Sequence, residues 1–262
     1  MILEASPLPG ERQREILRLA LLVETVRVSE LAERLGVHEM TIRRDLETLV
    51  AQGLLERVHG GARRTQKTGL ESAYAQRIGQ NAEAKGRIAR AALRLISEGD
   101  TVGMDSSTTA LALAGVLGTV KATAVVTGLD AANALAGANV PFLLAGGSFH
   151  ALARSFVGGL QRELLSRLRI DKVFFSAKAW SPAQGFSDVH LPDVEAKQAL
   201  IAAGRCVIAL LDSSKLEQEA FCQIVPTAGV QVLVTDREPS RAVREALEEA
   251  DVQVIVAEGE AA

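Results

Sequence analysis

Two periodicities divide this chain. In its first part, apolar residues recur three and four positions apart, the spacing that lines one stripe of an α-helix. Ile16, Leu17, Ala20 and Leu21 do so within "ERQREILRLALLV" (Glu11–Val23), and Ile42, Leu46 and Leu49 within "MTIRRDLETLVAQ". Between them, "SELAERL" opens on Ser29, suited to capping a helix start, and stops at Gly36, suited to the residue just past a helix end. "GLLERVHGG" reads as a short strand running into a glycine turn. Helix, helix, tight turn, helix and hairpin are the outline of a winged helix-turn-helix.

Beyond Ala62 that pattern lapses. "ARRTQKTGLESAYAQRIGQ" is polar and mixed, and reads as a linker with room for a short helix of its own. From Asn81 onward, apolar runs alternate with amphipathic ones. The strand-like runs are "TVGMD", "ATAVVT", "VPFLLAGG", "KVFFSA", "RCVIALLD", "VQVLVT" and "VQVIVA". A helical stripe of Ile88, Ala92, Leu95 and Ile96 precedes them, and most are separated by the stretches Thr108–Leu117, Leu129–Ala136, Leu160–Leu168, Val194–Ala203 and Ser240–Ala250. Apolar strands separated by helices predict a largely parallel sheet covered on both faces. The expectation is an N-terminal winged helix-turn-helix over residues 1–64, a linker over 65–80 and an α/β domain over 81–262.

Composition narrows this picture little. At 262 residues, 48% hydrophobic and 23% charged, the chain is an ordinary soluble protein with room for two domains. A net charge of −3 argues neither for nor against nucleic acid, because a basic patch can sit on an acidic protein. The charge-free stretch Ala131–Ala153 is broken by Gly137, Pro141, Gly146 and Gly147, so it predicts buried strands and turns rather than a membrane span. "MILEASPLPGERQRE" lacks the apolar core of a signal peptide. Cys206 and Cys222 lie in apolar surroundings and read as buried thiols of a reducing cytoplasm. The histidines show no metal-ligand spacing, and no metal or cofactor is expected.

Charge placement is more informative. Arg43 and Arg44 fall in the first turns of the third helix, off its apolar stripe, with Asp45 and Glu47 as potential surface partners. In a helix-turn-helix, that part of the third helix enters the major groove. Arg57, His59, Arg63, Arg64 and Lys67 then follow on and beyond the wing with no acid between them. Such groups neutralise phosphates and supply sequence-independent affinity. The first 64 residues hold ten acids and ten arginines, so clustering and not net charge points to DNA.

"RQREIL", "VSELAERLGV", "TIRRDLETL" and "RVHGGA" together resemble, in order and spacing, the N-terminal signature of the DeoR family of bacterial transcription regulators. That resemblance implies operator DNA as a partner, contacted by His38, Thr41, Arg43 and Arg44 from the recognition helix and by Arg57, His59, Arg63 and Arg64 from the wing. His38 stands where the family usually has serine. Histidine caps a helix less well, so His38 is expected to face a base or phosphate instead.

Two hydroxyl-rich loops follow predicted strands: "GMDSSTTALALA", with Asp105, Ser106, Ser107, Thr108 and Thr109, and "ALLDSSKLE", with Asp212, Ser213, Ser214 and Lys215. Helix capping and turn chemistry account for such residues. So does a phosphate site, because a helix N-terminus with nearby hydroxyls suits an anion, and strand carboxyl ends are where open α/β sheets bind ligands. The family resemblance extends here through "DSSTT", "VVTGLDAANAL", "LLAGG", "SFVGG" and "DSSK". It implies a domain similar to ribose-phosphate isomerases that holds a phosphorylated sugar through Asp105–Thr109, Asp212 and Lys215, with Arg154 lining the same pocket. Where many relatives carry Gly-Ala-Asp-Gly, this chain has Ser176, Ala177, Lys178 and Ala179. Asp188, Glu195 and Lys197 are either ligand contacts or solvated helix-terminal charges. Trp180 is expected to be packing.

These features predict a DNA-binding regulator, most simply a repressor of a carbohydrate operon. It is expected in the cytoplasm as a homo-oligomer, away from any membrane, and controlled by a phosphorylated sugar. One rival is a sugar-phosphate isomerase with an N-terminal extension, against which stands Lys178 in place of an acid. The other is an architectural DNA-binding protein whose α/β part only oligomerises.

Overall fold

The computed structural model describes residues 12–13, 15–16, 19–20, 25–51, 55–58, 60–64, 74 and 76–257. It divides into two compact units, Met1–Ser72 and Ala73–Ala262.

In the first unit, helical residues around Ile16 precede β1 (Thr25–Arg27), α1 (Val28–Leu35), α2 (Glu39–Ala51), β2 (Leu55–Val58) and β3 (Gly61–Arg64). The strands form an antiparallel sheet in the order β1-β3-β2. Ile42, Leu46 and Leu49 are buried with Ile16, Leu31 and Leu55 in one core. Each such side chain contributes roughly 1.5–3 kcal/mol. Gly36 ends α1 in the left-handed region at φ +64°. The start of α1 differs from the expectation. The helix begins at Val28, so Ser29 lies inside it and not at its cap. The amide of Val28, the first of the helix, donates to the carbonyl of Gly60 at 3.0 Å, so the hairpin turn satisfies one of the amides that the helix start leaves free. Strand β1, too short to show alternation, was not legible. It lies so close to β3 that a Cβ on Gly61 would stand 2.1 Å from the carbonyl oxygen of Val26.

In the second unit, the seven apolar runs are the seven strands of one parallel sheet. They are β4 (Thr101–Met104), β5 (Thr123–Val126), β6 (Phe142–Leu144), β9 (Ile170–Phe175), β12 (Gly204–Leu210), β14 (Val232–Thr235) and β15 (Gln253–Val256). Their order is β15-β14-β12-β9-β4-β5-β6. The chain winds outward from β4 to β6, returns to β9 on the other side of β4, and winds outward again. A crevice therefore forms at the carboxyl ends of β4 and β9, where the winding reverses. Helices α3 (Ala82–Leu93), α4 (Thr108–Ala114) and α5 (Leu129–Gly137) pack in one core. Helices α6 (Gly159–Ser166), α7 (Leu191–Ala202) and α8 (Arg241–Glu249) pack in the cores of the opposite face.

Two antiparallel additions were not expected. One is the hairpin β7 (Ser148–His150) with β8 (Ser155–Val157); the other is β10 (Ala179–Ser181), β11 (Gly185–Asp188) and β13 (Cys222–Val225). Trp180 in β10 is fully buried and donates from Nε1 to Thr227 Oγ1 at 3.2 Å, a packing role. Cys206 and Cys222 are free thiols, half-buried and not fully buried as expected. Among the described residues, no helix is long and apolar enough to cross a membrane.

Candidate functional site

The first unit presents α2 with one face in the core and the other in solvent. Arg43 and Arg44 are exposed. Arg43 pairs with Glu39 one turn earlier at 3.4 Å, and Arg57 of β2 pairs with Glu47 at 3.6 Å. Arg63 pairs across the hairpin with Glu56. These are surface pairs of small worth, easily exchanged for phosphate partners. Asp45, read as a surface partner, is instead turned inward and buried. Its carboxylate accepts from Arg12 Nε at 2.5 Å, from a second Arg12 nitrogen at 3.3 Å and from Gln13 Nε2 at 3.1 Å, tying the first helix to α2. His38 corrects another expectation. Its ring caps α2, with Nδ1 accepting the amide of Met40 at 3.2 Å. Thr41 is half-buried at the same helix end. His59 lies outside the described residues, as does the side chain of Arg64.

In the second unit, a cavity of about 600 Å³ opens at the carboxyl ends of β4, β9 and β12. Its walls are Ser106–Thr108 after β4, Ser176–Ala179 after β9, and Asp212, Ser214 and Lys215 after β12. Leu152 and Ala153 from the β7–β8 turn, with Asp188, His190, Asp193 and Lys197, close one side. Gln76, Arg77, Gln80, Asn81 and Lys85 close another.

Asp105 lies buried behind this wall and organises it. Its carboxylate accepts from the amide and hydroxyl of Ser107 at 3.1 and 2.5 Å, and from the amide of Ser176 at 3.1 Å. Ser107 Oγ in turn accepts the amide of Ala110 at 3.1 Å and so caps α4. Lys197 donates to the Ser176 carbonyl and to Asp188, each at 2.7 Å, and stands 3.5 Å from Asp105. Its three donors thus pin together the loops that follow β4, β9 and β11. Burial opposes its charge, but Asp188 and Asp105 outweigh that and hold Lys197 above the ordinary lysine range. Burial likewise opposes the charge of Asp188, and Lys197 outweighs it, so that carboxyl titrates lower than usual.

The remaining cations are less matched. Among the described residues, Lys215 has one carboxylate at ion-pair distance, Asp212 at 3.6 Å, and bonds Ser176 Oγ at 3.1 Å. Arg77, Lys85 and Lys178 have no carboxylate of the described residues at ion-pair distance, although Asp212 acts on both lysines from further away. Burial and the charge of Lys215 push Lys85 down to about 8. Burial and Arg77 push Lys178 down as well. Lys215 is pushed down by burial, against the pull of Asp212. Cations that disfavour one another in a half-dry cavity make a site for an anion of high charge. Ser106 and Thr108, half-buried on the wall, add hydroxyls that hydrogen-bond to no other described residue.

Comparison with known proteins fits both units. Residues 12–68 match the DeoR-like helix-turn-helix domain, and residues 80–237 match the DeoR C-terminal sensor domain. The chain belongs to the DeoR family. A transcriptional regulator, GolR of Listeria innocua, is 31% identical to it over 95% of this chain and 99% of its own length. The lactose phosphotransferase system repressor of Streptococcus mutans is 31% identical over 86% of this chain and 91% of its own. Among solved structures, ribose 5-phosphate isomerase A of Methanocaldococcus jannaschii matches 52% of this chain and 55% of its own, with 16% identity and a TM-score of 0.40. Family membership makes this chain a DNA-binding transcription regulator and not an enzyme.

Of the residues read from the sequence of this DeoR-family protein, the cavity gathers Ser106, Ser107, Thr108, Lys178, Asp188, Lys197, Asp212 and Lys215. Asp105 stands behind it. Thr109 is fully buried, one step further round α4, and its hydroxyl makes no hydrogen bond. Arg154 is not on the wall: at φ +51° its side chain folds onto Asp130, with nitrogens at 2.6 and 2.8 Å from the carboxylate. Glu195 is exposed on the far side of α7, where it meets Arg162 at 3.6 Å beside a different groove. Sequence reasoning missed His190 and Asp193, and the wall from Gln76 to Lys85. One signal was there: Lys85 falls on the same helical stripe as Ile88, Ala89 and Ala92, and a lysine on a buried stripe needs a reason.

Proposed function

We propose that this chain is a repressor of a carbohydrate-metabolism operon whose affinity for operator DNA is set by a phosphorylated sugar bound at the carboxyl edge of the parallel sheet. The phosphate lies among Arg77, Lys85, Lys178 and Lys215, within reach of Ser106 and Thr108. The sugar hydroxyls face Asp188, Asp193 and His190. The observation that carries this reading is the group of mutually disfavoured cations in a polar cavity. In line with it, the relatives include a repressor named for a sugar phosphotransferase system.

On the DNA side, His38, Thr41, Arg43 and Arg44 read the major groove, while Arg57, Arg63 and the wing beyond hold phosphates. Paired half-sites call for a homo-oligomer, and operator DNA places its work in the cytoplasm. The cavity binds without turnover. Asp188, a carboxylate of the cavity lining, is committed to Lys197 and is no free base.

The test is calorimetric titration of a panel of pentose and hexose phosphates against the parent, Lys215→Ala and Thr108→Val, with an isomerase assay beside it. Lys215→Ala should weaken binding by about 10- to 100-fold, as the loss of a charge-assisted bond does, with DNA binding in the absence of sugar unchanged. Measurable turnover, or equal affinity in all three proteins, would overturn this reading.

A further inference from the structure

The wall from Gln76 to Lys85 is the part of the second unit nearest, along the chain, to the first. Residues 76–79 are helical, and a helix end leaves its last carbonyls without partners in the helix. Lys85 supplies them. Its Nζ donates to the carbonyl of Gln80 at 2.6 Å and to that of Arg77. Asn81, in the left-handed region at φ +54°, turns the chain into α3 and donates from Nδ2 to Asp212 Oδ1 at 3.1 Å and to Ser214 Oγ at 3.4 Å. The short helix is therefore tied at its end to the loop after β12. An ammonium has three donors. Two of those on Lys85 serve the carbonyls, and the third is left on a cavity wall shared with Lys215.

We propose that Lys85 is the positioning residue through which an anion in the cavity acts on the chain leading to the DNA-binding unit. Its ammonium bridges the bound phosphate and the helix-end carbonyls of Arg77 and Gln80. This rests on the sugar-phosphate reading and adds the residue that carries the signal and its direction: ligand fixes the end of the helix at 76–79. A dianion beside Lys85 takes up its third donor and offsets the burial and the repulsion from Lys215 that disfavour its charge, so the ammonium is fixed where it reaches both carbonyls. Coupling of this kind is reciprocal, so fixing the helix end also strengthens ligand binding. A lysine that only capped the helix would hold the carbonyls equally with and without ligand.

Hydrogen–deuterium exchange on the full chain separates the two. Glucose 6-phosphate in saturating excess, with inorganic phosphate as the minimal anion, is added to the parent, Lys85→Met, Lys85→Gln and Lys85→Arg. In the parent, exchange should slow both at the cavity loops (106–108 and 213–215) and across 77–85, the latter by roughly fivefold or more. Lys85→Met and Lys85→Gln lose one of the four phosphate cations and should need more ligand, so each is titrated until the cavity loops are protected. At that occupancy they should show no protection across 77–85, and Lys85→Arg should restore part of it. Variants whose loops no concentration protects would make Lys85 a binding residue and overturn the relay. Two neutral variants guard against one that fails to fold. Loop protection with an indifferent 77–85 segment in the parent, or a protected segment in the neutral variants, overturns the relay and leaves the site standing. If neither probe protects the loops, the site reading falls and the relay with it.

Discussion

Both units of this molecule carry clusters of cations, and they carry them in opposite ways. On α2 and the wing, Arg43, Arg44 and Arg57 stand in solvent, with partners at 3.4 Å or more where they have any. Around the cavity, Lys85 and Lys197 are buried, and every donor that can be traced goes to a named oxygen. Exposed charges are screened and replaceable; they act on a polyanion by number and by counterion release. Buried charges are fixed, and removing one leaves its partner desolvated. One kind of residue thus serves a surface that must meet DNA from solution and a site that must hold one small anion.

The largest effect should come from breaking the buried side. Lys197→Met leaves Asp188 and Asp105 without their cation and should destabilise the second unit by roughly 3–5 kcal/mol. Trp180, the chain's single tryptophan, is fully buried in that unit and reports its unfolding alone. Its denaturant midpoint should fall with the slope unchanged, and a loss below about 1 kcal/mol would mean that the cluster does not hold the site together.

On the exposed side, Arg43→Ala and Arg44→Ala should weaken operator binding by roughly 1–3 kcal/mol for whichever reads a base edge. Neither should move the unfolding transition, because both lie off the stripe of Ile42, Leu46 and Leu49. Two variants that bind a genomic operator as tightly as the parent would remove α2 from the major groove.

A smaller effect separates the two regions by pH. Lys85 titrates near 8, and a dianion beside it favours the charged form, so the complex keeps its proton to higher pH than the free protein does. Sugar-phosphate affinity should therefore fall as pH rises through about 8, by at most about tenfold per pH unit for one such lysine. Binding near that pH should take up protons, readable by calorimetry in two buffers of different ionisation enthalpy. Proton release would put the anion away from Lys85.

The smallest expected change is a slope. Arg57→Ala should weaken binding to all DNA sequences alike and flatten the dependence of log affinity on log salt by about one unit. Lost discrimination at an unchanged slope would make Arg57 a reader of bases.

What the sequence displayed and what it hid follow the same division. Periodicity encodes which side chains face a core, so the α2 stripe and all seven parallel strands were legible from it. The three-residue strands β1, β7 and β10 lie outside the apolar runs and are held by pairing with their neighbours, which periodicity does not record. The loops at Asp105–Thr108 and Asp212–Lys215 stood out because hydroxyl and carboxylate residues cluster twice at strand carboxyl ends, although capping and turn chemistry place the same residues there. Within them, the sequence could not tell Ser106 and Thr108, on the wall, from Ser107, spent on the α4 cap, or Thr109, turned into the core. Arg154 and Glu195 misled for a related reason. A charged residue beside a loop is assigned by which way the backbone turns it, and the left-handed turn at Arg154 delivers its guanidinium to Asp130. The wall from Gln76 to Lys85 depends on a segment that reads as linker folding back over the sheet edge, which only tertiary structure records.

The cap on α2 carries a consequence for what the recognition helix can say to a base. Because Nδ1 of His38 accepts the amide of Met40, that nitrogen bears no hydrogen, and the neutral ring carries its proton on Nε2. A serine at this position would also accept at the cap and would keep a short, rotating O–H donor. The exposed imidazole spends one nitrogen and keeps a single fixed donor on the other. In a major groove, that donor is matched by purine N7, guanine O6 or thymine O4 and opposed by the amino groups of adenine and cytosine. With the recognition helix in the groove as proposed, the departure from the family's usual serine would exchange a short rotating donor for a longer, directed one.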